Sequence, residues 1–229
     1  MFVFSPSNMM TYRTCPRRFQ AQYITKEIKW KASAQKSRGT IVHGDIEKAF
    51  CKGMSAVTRW DDNLDASYVA GLVDSVRNIK GQILIEKELV VTDKFKPSND
   101  WWDGHAMLRA KADALILPDD GDPWLIDLKT GKKWDMEDFQ LRAEALLVHL
   151  IYGKNVIRYS YEYVDIGERV EGVVDLSRGL MPVQDVVDTM RDIKQAVRDN
   201  CFFAKLNRFC RFCDFNGDKN RCGIVCAAG

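Results

Sequence analysis

Two short stretches of this chain carry residues whose types and spacing could do chemistry together. Leu125-Ile126-Asp127-Leu128-Lys129-Thr130-Gly131 reads as an apolar strand that ends in a carboxylate and an ammonium two positions apart. Side chains at i and i+2 of a strand share a face, so Asp127 and Lys129 emerge side by side. Upstream, Lys111-Ala112-Asp113-Ala114-Leu115-Ile116 sets a second acid inside another apolar strand. Two such carboxylates can hold Mg²⁺, which needs only one or two of them beside substrate oxygens and water. A histidine ligand would shift the preference toward Mn²⁺. A divalent ion held in this way can neutralise phosphoryl charge, generate hydroxide and stabilise a leaving alkoxide, which is what phosphodiester hydrolysis requires. Lys129 beside the ion could orient the attacking water.

The elements that must position these residues follow from periodicity. Residues 7–24 predict a helix with Ser7 as N-cap, in which Pro16 introduces a kink. Residues 38–52 predict a second helix, with Val42, Ile46, Ala49 and Phe50 as its apolar stripe and His43 and Glu47 on an adjoining face. Residues 65–80 predict a third. Branched and apolar runs at 83–91, 107–117 and 124–129 predict strands, the last two paired antiparallel through the turn Asp119-Asp120-Gly121-Asp122-Pro123. That pairing brings Asp113 to Asp127 only in one register. An amphipathic helix follows at 136–152, then a hairpin of 156–164 and 169–175 around Gly167, then a helix at 182–199. The order predicts an α/β fold with a mixed central sheet flanked by helices.

Five of the seven cysteines lie from Cys201 onward. The Cys210-Arg211-Phe212-Cys213 pair, with Cys222 and Cys226, has the spacing of a metal-binding cluster, and four thiolates could bind Zn²⁺ tetrahedrally. Cys51 and Cys201 read as core thiols. A chain that is 46% hydrophobic and 29% charged has a substantial core, and a net charge of +2 neither demands nor excludes a nucleic-acid partner. The first residues have no basic region followed by an apolar run, and no apolar run is long enough to span a membrane, so a cytoplasmic protein without membrane association is expected.

Taken together, these stretches resemble the PD-(D/E)XK nuclease superfamily, and within it the RecB-like exonuclease branch. Arg38-Gly39-Thr40-Ile41-Val42-His43 looks like the Gly-x-x-x-His motif of the first core helix. Lys111-Ala112-Asp113 looks like the second-motif aspartate, Ile126-Asp127-Leu128-Lys129 like the Asp-x-Lys motif, and Phe139-Gln140-Leu141 like the following glutamine motif. The resemblance implies a restriction-endonuclease-like core over about 37–176, within a single nuclease domain spanning 1–229. It also implies metal ligation by His43, Asp113, Asp127 and the Leu128 carbonyl, a catalytic Lys129, and a Gln140 that organises substrate or the lysine. Where the family often has tyrosine four residues after the glutamine, this chain has Glu144.

Thr14-Cys15-Pro16-Arg17-Arg18-Phe19 resembles the Cys-Pro-x-x-Phe segment that opens RecB-like nucleases. Members carrying a [4Fe–4S] cluster include CRISPR-associated RecB-like exonucleases and AddB-type nuclease domains. They pair this cysteine with a C-terminal Cys-x-x-Cys and one more. The resemblance therefore implies a cluster on Cys15, Cys210, Cys213 and Cys222, with Cys226 competing for the fourth place and Zn²⁺ as the other metal. The cluster would join the 7–24 helix to the 182–229 segment as a cap. DNA is the implied partner, as single strands or duplex ends. Arg17, Arg18, Lys132 and Lys133 could follow phosphates, and Trp101 and Trp102 could stack on unpaired bases. The function so implied is a metal-dependent DNA exonuclease. A CRISPR-type spacer-processing endonuclease subunit and a non-catalytic DNA-binding partner on a nuclease scaffold are its alternatives.

Overall fold

The computed structural model describes residues 2–28, 34–133, 138–216 and Cys222, without the side chains of 34–37. Cys226 and the expected helix start at Met136 fall outside the described residues. In chain order the elements are α1 (Pro6–Thr14), α2 (Pro16–Phe19), a π-helical turn (Gln20–Ile24), α3 (Ala34–Lys52), α4 (Ala66–Arg77), β1 (Gly81–Thr92), β2 (Pro97–Ser98), β3 (Ala106–Pro118), β4 (Trp124–Lys129), α5 (Phe139–Tyr152), β5 (Val156–Tyr163), β6 (Glu168–Asp175) and α6 (Gln184–Asp199). They form two compact units. One comprises Met1–Val3 and Ala32–Val183, the other Phe4–Lys31 and Gln184–Gly229.

The first unit is built on a six-stranded mixed sheet among the described residues, in the order β2-β1-β3-β4-β5-β6. β3 and β4 pair antiparallel, as their connecting turn predicts, with Ala114 opposite Ile126 and Ile116 opposite Trp124. β4 and β5 pair parallel, because the chain crosses over through α5 between them. Ala114, Ile116, Trp124, Ile126 and Leu128 pack on one face of the sheet against Val42, Ile46 and Phe50 of α3 and Val69, Leu72, Val73 and Val76 of α4. Asp65 caps α4 by accepting the Tyr68 N–H at 2.9 Å. α5 stops at Gly153, whose φ of 67° is the left-handed conformation that glycine adopts without a Cβ penalty.

The second unit departs from the single helix predicted over 7–24. Ser5, not Ser7, caps α1. It accepts the Asn8 N–H while the Asn8 side chain accepts the Ser5 N–H, and Pro6 takes the first helical position. Cys15 then turns extended, at φ −162° and ψ 107°, and Pro16 opens α2. Proline lacks the N–H that a continuing helix would need, but fits a helix start. Val186, Met190 and Ile193 form a buried stripe on α6 at i, i+4 and i+7. Cys51 and Cys201 are both exposed, contrary to their reading as core thiols. The apolar stripe of α3 runs through Ala49 and Phe50 and turns Cys51 outward. No helix among the described residues is long and apolar enough to cross a membrane.

Candidate active site and a cysteine-lined cavity

The β3–β4 ladder ends at Ala114–Ile126, so Asp113 and Asp127 stand at the next step, where the two strands part. The other side of β3 is interrupted at the same level. The β1–β3 ladder skips Glu86, which would face Asp113, and resumes in the same register at Lys87–Ala112. Glu86 has φ 50°, a left-handed conformation uncommon for a residue with a side chain, and its carboxylate pairs with Lys111. Backbone pairing thus lapses on both sides of Asp113. Its Oδ2 accepts the Leu128 N–H at 2.8 Å, and His43 Nδ1 of α3 lies 3.4 Å from the same oxygen. Asp113 Oδ1 has no hydrogen-bond partner among the described residues.

Asp127 is 4% exposed. Its Oδ1 accepts the Gln140 amide at 2.5 Å, and its Oδ2 lies 2.6 Å from Lys129 Nζ. That approach is an ion pair at an angle outside hydrogen-bond geometry, so Oδ2 is buried without a well-directed donor. Burial pushes the Asp127 carboxyl up to about 6, against the opposing charge of Lys129 and with that of Asp113 adding to the rise. Burial by itself would lower the Lys129 pKa. The carboxylate of Asp127 outweighs it, and the ammonium is held above its ordinary value. The same contest acts on His43, where burial lowers and Asp113 raises, with a net rise.

Two residues that the sequence left without a role complete the array. Glu144, 2% exposed, accepts the Gln140 amide at 3.1 Å. Burial, with Asp127 nearby, raises its pKa well above the ordinary carboxylate range. Tyr161 lies beside Asp127 in the parallel register, and Lys129 Nζ stands 5.1 Å over its ring. The i, i+4 step from Gln140 to Glu144 in an otherwise apolar helix was visible in the sequence. The Tyr161 pairing was not, because it crosses the βαβ connection.

Arg38 braces the far side of this fork. It forks onto Asp61 at 2.8 and 3.0 Å and onto Asp165 at 2.8 and 2.9 Å, and Asp165 also accepts the Gly131 N–H at 2.5 Å. The first turn after Lys129 is thereby tied to the start of the histidine helix. Lys132 is exposed just beyond it, and Lys133 pairs with Glu168 at 2.8 Å. The Arg109 guanidinium of β3 lies 4.5 Å over Trp101 and 4.9 Å over Trp102 of the β2–β3 loop, and Trp102 is 77% exposed.

Within the second unit, Cys15, Cys210, Cys213 and Cys222 line one cavity with Arg18, Asn207 and Phe209. The Lys205 N–H approaches Cys15 Sγ at 3.5 Å, and the Asn207 N–H approaches Cys210 Sγ at 3.3 Å. Burial raises the Cys213 thiol. Arg18 Nε is buried without a hydrogen-bond partner, whereas Arg17 pairs with Glu27 at 3.3 Å and donates to Gln20 at 2.8 Å. Among the described residues, no group of three or more His, Cys, Asp or Glu side chains is arranged to hold a metal ion as it stands.

The model for the PD-(D/E)XK nuclease superfamily matches residues 3–222. No curated protein matches significantly. Among solved structures, one titled "Crystal structure of SSO0001" is similar at 17% identity, with a TM-score of 0.48, over 93% of this chain and 83% of that one.

Proposed function

The chain belongs to the PD-(D/E)XK nuclease superfamily, and from that premise we propose that it is a metal-dependent DNA exonuclease of the RecB-like kind, acting at DNA ends or on single strands. The observation that carries the proposal is the single array formed by Asp113, Asp127, Lys129 and Gln140 at the mouth of the strand fork.

The residues fit a hard divalent cation. Asp127 Oδ2 is a buried carboxylate oxygen without a directed donor, and Asp113 Oδ1 is free among the described residues. Asp113, Asp127, the Leu128 carbonyl and His43 would hold Mg²⁺ or Mn²⁺, a sparse set that leaves places for water and phosphate. The ion, when bound, supplies charge neutralisation at phosphoryl oxygens and an activated water. Lys129 stays an ammonium at neutral pH because Asp127 sustains its charge, so it acts as a fixed cation and proton-bearing donor toward phosphoryl oxygen or water. Gln140 donates to Asp127 and turns its amide oxygen to Lys129 at 3.5 Å, which fixes the spacing of the two. Glu144 takes the other amide hydrogen and so sets the orientation of Gln140.

The cysteine cavity would take a [4Fe–4S] cluster, with one structural zinc ion as its alternative. Four thiols line one cavity, as a cluster ligated by Cys15, Cys210, Cys213 and Cys222 would need. Main-chain N–H groups already point at two of the sulfurs, the kind of contact that sets cluster potentials. Cys15, Cys210, Cys213 and Cys222 would staple the α1–α2 junction to the C-terminal segment of the same unit.

End-labelled single- and double-stranded DNA, incubated with Mg²⁺ or Mn²⁺, tests the function. Metal-dependent release of short labelled products is expected, with circular DNA resistant. Tight DNA binding without any cleavage would favour the non-catalytic scaffold, and cleavage of circles would favour an endonuclease.

A further inference from the structure

The second unit carries a surface that the proposed active site does not use. Phe203, Leu206, Phe209 and Phe212 are all exposed, Phe203 by 76% and Phe212 by 69%. Cations are interleaved with them. Leu206, Phe209 and Phe212 recur every third residue, as do Lys205, Arg208 and Arg211, and no acid falls between Phe203 and Cys213. The Arg208 guanidinium lies 5.0 Å over the Phe209 ring, and that of Arg211 lies 4.7 Å over the Phe212 ring. Neither arginine makes an ion pair among the described residues.

Each guanidinium covers one face of its phenyl ring, and the exposure of the rings leaves apolar surface facing water. An interface core for a folded protein is depleted of charge, whereas here a guanidinium lies over each of Phe209 and Phe212. Rings beside cations at short intervals match the two recurring groups of an unpaired strand, its bases and its phosphates. The segment is also held in shape. Cys210–Phe212 form a 3-10 turn, and the Asn207 N–H is directed at Cys210 Sγ. Leu206 and Phe209 also line the cysteine cavity, which places that part of the segment against the four thiols.

We infer that residues 203–212 form a binding platform for single-stranded nucleic acid, with unpaired bases stacking on Phe209 and Phe212 and phosphates meeting Arg208 and Arg211. The identity of the ligand rests on the nuclease reading above; the platform lies in the other unit and uses none of the proposed catalytic residues.

The test uses the full chain with its cysteine site loaded, in EDTA so that no cleavage occurs, and measures the anisotropy of a fluorescein-labelled oligothymidylate. Phe212→Ala should weaken binding about ten-fold, and Phe212→Trp should restore it. In Arg208→Ala/Arg211→Ala, the slope of log affinity against log salt should fall by about 0.7 for each phosphate that is no longer neutralised. Circular dichroism and a melting temperature like those of the parent show that each variant keeps its fold. Unchanged affinity and salt slope in folded variants would overturn the platform. So would a Phe212→Ala variant whose mass by light scattering changes while its oligothymidylate affinity does not, since the rings would then belong to a protein interface. Asp127→Ala separates the two proposals: DNA cleavage that survives it removes the active-site assignment and leaves the anisotropy result standing.

Discussion

The Asp113 carboxylate accepts the Leu128 N–H at 2.8 Å, at the step just past the last rung between their strands. A side chain thus closes the fork where a main-chain carbonyl would otherwise continue the ladder. The same hydrogen bond fixes the carboxylate beside Asp127. Asp113→Ala should therefore do more than remove a ligand. It should leave a donor without its acceptor at the fork, at a cost of about 1–3 kcal/mol in thermal or denaturant unfolding, as well as abolishing cleavage.

Lys129→Ala should lower kcat by about 10²–10³ while leaving the fold intact, because it removes a fixed cation from the reacting centre. It also leaves Asp127 buried without its counter-charge. Lys129→Ala/Asp127→Asn should consequently unfold at a higher temperature than Lys129→Ala alone in metal-free buffer. Calorimetry of the two variants checks this, and equal melting temperatures would contradict the buried pair.

Glu144 occupies the place where a tyrosine is often found, yet it is not a surface accident. Burial and Asp127 keep its carboxyl protonated well above the ordinary range, and it receives the Gln140 amide. Glu144→Gln preserves shape and an acceptor oxygen, and should retain most activity. Glu144→Ala should lower stability by about 1–3 kcal/mol and reduce kcat, since Gln140 loses the partner that orients it. Turnover and melting of the pair distinguish the two roles.

The Arg38 brace predicts a pH dependence with a definite sign. Its hydrogen bonds to Asp61, with those from Asn63, hold that carboxyl below its unfolded value of 3.8. A depressed carboxyl contributes its stability in full above about pH 4 and loses it as pH falls through the folded value. Arg38→Gln should therefore be less stable at neutral pH and show a flatter loss of stability below about pH 4. Acid titration followed by circular dichroism would show parallel curves if the brace contributed nothing.

For the cysteine cavity, anaerobically purified protein should be brown, with iron and sulfide. Cys15→Ala or Cys213→Ala should remove the colour and lower the melting temperature. Colourless protein with one zinc per chain would replace the cluster by the zinc site.

Local geometry made part of this protein legible from its residues alone. Strand parity puts Asp127 and Lys129 on one face, the turn at 119–123 makes β3 and β4 antiparallel, and i, i+4 spacing sets Gln140 against Glu144. The break in the first helix was less legible, because proline serves equally as a kink or as a helix start, and only the extended Cys15 selects between them. Long-range pairing decided the rest. Every backbone offers the same N–H and C=O, so the register that sets Asp113 at the step of Asp127 is not written in either strand by itself. The lapse of pairing at Glu86, the placing of Tyr161 under Lys129, and the gathering of Cys15 with cysteines some two hundred positions away all depend on contacts between distant segments. These arise only when burial of the sheet faces and of α6 has brought those segments together.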